Sequence, residues 1–123
     1  MLYRLRPIRQ HFQHLMRPQT PPSMPDKGAN AFLAACDLAL RLHAMEKEVY
    51  PAHDKLFDPD YSTINPTKKE ANVPNVNTIP GDDVFCMDMR ILPCYPLDGV
   101  LAESEKRMRD IEKQYRVKVS YEI

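Results

Sequence analysis

An α+β two-layer sandwich, an antiparallel sheet with two helices on one face, is the fold class predicted for this 123-residue chain. Three observations predict it. The run from Val84 to Ile91 alternates with period two. Two stretches, from Gly28 to Glu48 and from Asp98 to Tyr115, carry apolar residues at helical spacing. A second alternating run, Val117 to Ile123, closes the sequence. One-sided helices and one-sided strands bury their stripes most simply as helices laid over one sheet face.

Composition narrows the function. Lys+Arg 17 equals Asp+Glu 17, so no net field favours nucleic acid or an anionic membrane surface, and neither is expected as a partner. No run has the apolar length of a membrane span. The opening MLYRLRPIRQHF lacks the apolar core and small-residue cleavage site of a secretory signal. Cys36, Cys86 and Cys94 are odd in number and have no CxxC spacing, which reads as free thiols in a reducing, cytoplasmic compartment. Twelve prolines against three glycines, with 43% hydrophobic residues, indicate ordered connections rather than disorder.

In chain order, Ile8, Phe12, Leu15 and Met16 follow Pro7 at helical spacing and predict a short helix that ends before Pro18. The segment TPPSMP is extended, because each proline restricts itself and its predecessor. Asp26 stands where a cap would precede the first long helix. That helix shows Ala29, Phe32, Leu33, Cys36, Ala39, Leu40, His43 and Val49 as a broad apolar stripe and contains no internal proline. Residues 50–60 read as a loop and Tyr61 to Thr67 as a short strand. Pro66 there argues for an edge or a bulge, and Lys68 to Glu70 are a natural extension.

The clearest strand follows the turn Pro80-Gly81-Asp82-Asp83. Phe85, Met87, Met89 and Ile91 fall on one face, and Val84, Cys86, Asp88 and Arg90 on the other. Asp98 would cap a second helix whose stripe is Leu97, Val100, Leu101, Ser104, Met108, Ile111 and Tyr115, with charged residues opposite. The order is an incoherent N-terminal piece, helix, strand, strand, helix, strand. With one more strand before the first helix it would be a ferredoxin-like pattern.

No nucleophile, acid–base pair or metal cluster stands out. There is no HExxH, no glycine-rich phosphate loop and no GxSxG, and the pair His11/His14 is a weak metal signal. His43 reads as a helix-edge residue with its polar tip showing. No catalytic and no metal-ligating residue is therefore assigned. The open sheet face instead offers recognition chemistry, and an Asp88–Arg90 pair two residues apart could equally be a surface salt bridge.

The segments SMPDKGANAF (Ser23–Phe32) and NVNTIPGDDVFCMDMR (Asn75–Arg90) resemble the lid, or dimerisation, domain inserted in the zinc-dependent M20 amidohydrolases, the family of acetylornithine deacetylase and succinyl-diaminopimelate desuccinylase. The resemblance covers residues 22–123 and leaves residues 1–21 as an atypical N-terminal segment, in which the family's first strand finds no match, so that strand is expected to be lacking or altered. It implies a small α+β domain that pairs with a second subunit through a helix and an edge strand and closes over a substrate.

By that resemblance Asn77 matches the lid asparagine that reaches towards substrate. Arg90 matches the arginine that clamps the substrate carboxylate, for which a guanidinium fork supplies two parallel donors. Asp88 would orient Arg90. Pro25, Gly28 and Asn30 match positions that shape the start of the first helix. Pro21 occupies the position of a family histidine that crosses the dimer to stabilise an oxyanion, and proline has no group to donate. No cofactor is expected on this chain, because the zinc ligands belong to the family's catalytic domain.

The expectation is thus an isolated lid and dimerisation domain, inactive alone. It would form a homodimer and partner a catalytic domain that acts on small N-acyl amino acid or peptide-like amides. The alternative is a stand-alone interaction or oligomerisation module that kept the sheet. A small independent hydrolase is a third reading, and no residue constellation supports it.

Overall fold

A computed structural model of the chain describes residues 1–7 and 30–123. The helix predicted around Ile8 to Met16, the pair His11/His14, and the positions Pro21, Pro25, Asp26 and Gly28 lie outside the described residues. The elements are β1 (Leu2–Pro7), α1 (Ala31–Glu48), β2 (Thr63–Lys69), β3 (Asp83–Arg90), α2 (Leu97–Tyr115) and β4 (Val117–Glu122). The strands form one antiparallel sheet in the order β2-β3-β1-β4, and both helices pack on one of its faces. The α+β sandwich is as predicted.

A correction concerns the first strand, expected to be lacking or altered. Leu2–Pro7 is a strand in the interior of the sheet, pairing with β3 (Tyr3 opposite Phe85) and with β4 (Tyr3 opposite Tyr121). Its two inward positions, Tyr3 and Leu5, are both fully buried. Arginines at 4 and 6 face the opposite side, where a sheet covered on one face tolerates charge. Two inward residues are too few for the alternation to stand out, and Ile8 beyond Pro7 suggested a helix instead.

Tyr3 sits at the centre of the core. Its ring stacks on Phe85 at 5.3 Å between centroids and leans on Tyr121 at 6.0 Å. Burial pushes the phenol up to about 12; the neighbouring Ser104 hydroxyl pulls it back and Tyr121 adds to the rise. Above pH 10 the unfolded chain loses this proton while the folded chain keeps it. Fewer protons are then bound when unfolded, so stability falls as pH rises. The expected loss is about 1.4 kcal/mol per pH unit between pH 10 and 12. Denaturant titrations in that window should show it, and Tyr3→Phe should flatten the slope. A slope unchanged in Tyr3→Phe would assign the loss to the other raised phenols, Tyr50, Tyr115 and Tyr121.

The start of α1 is capped by Asn30, whose Oδ1 accepts the Leu33 N–H at 3.1 Å. The face turned to the sheet is Ala31, Ala34, Ala35, Leu38, Leu42 and Met45. This corrects the predicted stripe: Phe32, Leu33 and Leu40 are 43%, 55% and 69% exposed, and His43 is exposed too. The helix is apolar on two faces, and the alanines let its backbone approach the sheet closely. In α2 the buried residues Val100, Ser104, Met108 and Ile111 follow the prediction. Asp98 is not the cap but lies in the first turn, after Pro96 at the N-cap. There its charge still favours the helix N-terminus. The helix ends at Arg116, left-handed at φ 57°, which turns the chain into β4.

Strand β2 is an edge, as Pro66 predicted, and its register shifts between Pro66 and Lys68. It begins two residues later than expected and takes in Lys68 and Lys69. An interhelical network adds specificity: Asp37 accepts from Arg41 and from the Tyr115 hydroxyl, and Arg41 donates to Gln114 at 2.7 Å. Burial pushes Asp37 up, but the bonds from Tyr115 and Arg41 outweigh it and hold the carboxyl below its ordinary value.

Candidate functional site

The segment between β2 and β3, residues 70–82, carries Asn77 and is tied down at both ends. At its start, the Asn72 Nδ2 donates to Asp83 Oδ1 at 3.1 Å. At its end, Pro80 O accepts the N–H of Ala31, the first residue of α1, at 3.2 Å. Ile79, Pro80 and Gly81 are buried, whereas Asn75, Val76 and Asn77 are exposed. Within the exposed tip, Asn75 Oδ1 accepts both the Asn77 N–H at 3.0 Å and the Thr78 hydroxyl at 3.1 Å. This is the local turn chemistry short polar side chains provide. It fixes the backbone at Asn77 without using the Asn77 side-chain amide.

Arg90 ends β3. Its Nε donates to Asp88 Oδ2 at 3.0 Å, and the two side chains are 75% and 46% exposed. Asp88 is thus in contact with Arg90, in the geometry that would hold a guanidinium by one edge and leave its other donors outward. As a contribution to stability, an ion pair this exposed is small, about 0–1 kcal/mol. No hydrogen bond or ion pair joins Asn77 to Arg90 among the described residues. Arg90 lies at the end of β3 away from Asp83, where the Asn77 segment is anchored, a strand length of about 23 Å.

Two features were missed from sequence. The first is Asp83, whose carboxylate is fully buried and accepts from Lys69 Nζ as well as from Asn72. Asp83 reads in sequence as a turn residue, and only the β2–β3 pairing, with Lys69 opposite Phe85, sets the lysine beside it. The second is the open sheet face at β1, where Arg4 and Arg6 approach one carboxylate, Asp82, at 3.8 and 3.4 Å. Alternating arginines in a recognised strand would have revealed this pair.

Beside the exposed face of α1 runs a cleft of about 240 Å³, lined by Ala35, Cys36 and Ala39 of α1, residues 66–69 of β2, and Phe85. It lies between α1 and the edge strand β2. Around the 50–62 loop, Leu56 and Phe57 are also exposed.

Among the described residues, no group of three or more His, Cys, Asp or Glu could hold a metal ion. The nearest approach is the pair His53 Nδ1–Asp60 Oδ2 at 3.1 Å on an exposed loop, which supplies two donors only. His43 is engaged elsewhere: its Nδ1–H donates to Ile64 O at 2.6 Å. A zinc ion of the kind the resemblance implies therefore does not fit the donors described in this chain. No helix among the described residues is long and apolar enough to cross a membrane.

Comparison with known proteins places these features in a family. The peptidase dimerisation domain of the M20 peptidases matches residues 20–116. An uncharacterised metallohydrolase of Methanocaldococcus jannaschii is 33% identical over 110 residues, covering 82% of this chain and 27% of that protein. A second, from Methanococcus maripaludis, is 31% identical over 114 residues, covering 82% and 28%. Among solved structures, the aminobenzoyl-glutamate utilization protein from Klebsiella pneumoniae superposes with a TM-score of 0.67 at 16% identity, covering 97% of this chain and 25% of its own. A hydantoinase/carbamoylase family amidase from Burkholderia ambifaria gives 0.69 at 18% identity with the same coverage. The chain spans about a quarter of the length of the relatives it matches.

Proposed function

This chain belongs to the M20 peptidase dimerisation family, and from that premise we propose that it is the pairing and substrate-lid module of a metal-dependent amidohydrolase, without turnover of its own. The observation that carries the proposal is the surface formed by α1 and β2. An amphipathic helix with a second apolar face lies along an unpaired strand edge, and an exposed edge with adjoining apolar surface is the usual substrate for pairing of sheets. A second copy meeting this one about a two-fold axis would cover both at once. Pro66 offers no N–H and the register shift interrupts the edge, so α1 supplies much of the apolar contact.

In this reading Asn77 and Arg90 would contact an N-acyl amino acid or peptide-like substrate, with Arg90 on its carboxylate and Asp88 holding Arg90. Their exposure and outward donors support this. The metal, expected to be zinc, would be held by a catalytic domain and not by the residues described. The free thiols of Cys36, Cys86 and Cys94 suit a cytoplasmic setting.

Sedimentation equilibrium of the purified chain should show a monomer–dimer transition. Leu40→Glu should weaken it about tenfold to a hundredfold, the equivalent of losing one buried leucine. A chain that stays monomeric at high concentration would remove the pairing role. Incubation with zinc and N-acyl amino acids should give no turnover. Clear turnover that Arg90→Ala abolishes would show an enzyme complete in itself.

A further inference from the structure

The buried carboxylate of Asp83 lies between the two surfaces that the proposed function separates. Its Oδ2 accepts from Lys69 Nζ and its Oδ1 from Asn72 Nδ2. Lys69 is the last residue of β2 and lines the cleft against α1. Its ammonium also stands over the Phe32 ring, 4.3 Å from the centroid, and Phe32 belongs to the exposed apolar face of α1. Asn72 begins the loop whose tip is Asn77. A continuous chain of contacts therefore runs from the helix–edge surface, through Lys69 and Asp83, to the segment that carries Asn77.

The chemistry suits a positioning role. A carboxylate removed from water must be satisfied at both oxygens, and here one oxygen takes a cation from the strand and the other an amide from the loop. Displacing the loop at Asn72 leaves a buried lone pair without its amide, so the loop's position is linked to the ion pair. Lys69 in turn is held on its other side by the aromatic face of Phe32. The exposed tip is then free to present its side chains while its base is fixed.

We propose that Lys69, Asp83 and Asn72 are positioning residues for Asn77, and that they tie its loop to the α1–β2 surface. The proposal rests on the reading of Asn77 as a substrate contact and of α1–β2 as the pairing face. When a second copy covers Phe32, Lys69 loses freedom and the loop tightens with it.

Amide hydrogen exchange on the full 123-residue chain tests this. Asn72→Ala should speed exchange at the Asn77 and Thr78 amides about tenfold while the β3 amides from Phe85 to Met89 stay unchanged; Lys69→Met should speed the same loop amides, with β3 exchange rising only by the global stability that variant loses. Lys69→Arg, which keeps a cation able to reach the carboxylate, should restore the loop. In the wild-type chain loop protection should rise through the dimer transition, and in Lys69→Met it should not.

Should Lys69→Met fail to fold, Asn72→Ala carries the comparison alone. Loop exchange that is unchanged in Asn72→Ala, or that accelerates together with β3, would overturn the proposal. So would loop protection in wild type that ignores pairing. If the chain never pairs, the pairing reading and the tie to its surface fail, while the comparison of variants at one concentration still decides the positioning role.

Discussion

Replacing Tyr3 by alanine is expected to cost about 3–5 kcal/mol, the range for removing a large buried aromatic side chain. Tyr3 is completely buried, stacked on Phe85 and in contact with Tyr121, and its strand is hydrogen-bonded on both sides. The alanine variant leaves a cavity between the sheet and α2 that neighbours on a paired strand cannot collapse into. For a domain whose total stability is about 5–15 kcal/mol, the loss approaches global unfolding. Urea denaturation followed by far-ultraviolet circular dichroism measures it. A loss below about 1 kcal/mol would mean that β1 does not hold the sheet together.

Replacing Lys69 by methionine is expected to cost about 3 kcal/mol. That is the lower end for breaking a buried pair, because the lysine is about one-third exposed while the Asp83 carboxylate is enclosed. Methionine keeps the stem in the cleft and removes the ammonium from both Asp83 and the Phe32 ring, so the measured loss reports the charge and not the apolar contact. Asn72 would remain as a single partner of a buried anion. Lys69→Arg should recover most of the loss, and a methionine variant as stable as wild type would show that water replaces the ammonium at no cost. Chemical denaturation of the three proteins side by side decides this.

Both substitutions fall on features that were not legible in the sequence. The β3 run announced itself by eight alternating residues, and α2 by a stripe with charges opposite, because each is apolar on one side only. In β1 the inward pair Tyr3 and Leu5 was too short a pattern to recognise. The segment also did not match the family's first strand, so this interior strand of the sheet was expected to be lacking or altered. In α1 the helix was plain but its orientation was not. Leu33, Leu40 and Phe32 are larger than Ala31, Ala34 and Ala35, so the bulkier face looked like the inner one.

The proposed recognition residues show the same division. Asn77 and Arg90, with Asp88 beside Arg90, are proposed by resemblance to family motifs. The structure adds that Asp88 holds Arg90 and that Asn75 fixes the backbone under Asn77. Asp83 was invisible, because its importance comes from a lysine fourteen residues earlier and an asparagine on the loop between them.

What the sequence by itself determined is the run of elements from α1 to β4, the α+β class and the family motifs. Periodicity and motif spacing are local properties, readable one segment at a time. What only the tertiary structure decided is which strand lies at the centre of the sheet, which face of α1 is buried, and which carboxylate is enclosed. Those depend on pairing between residues distant in the chain: the contact that buries Leu38 leaves Leu40 outside, and the register that brings Lys69 opposite Phe85 is what closes Asp83 off from water.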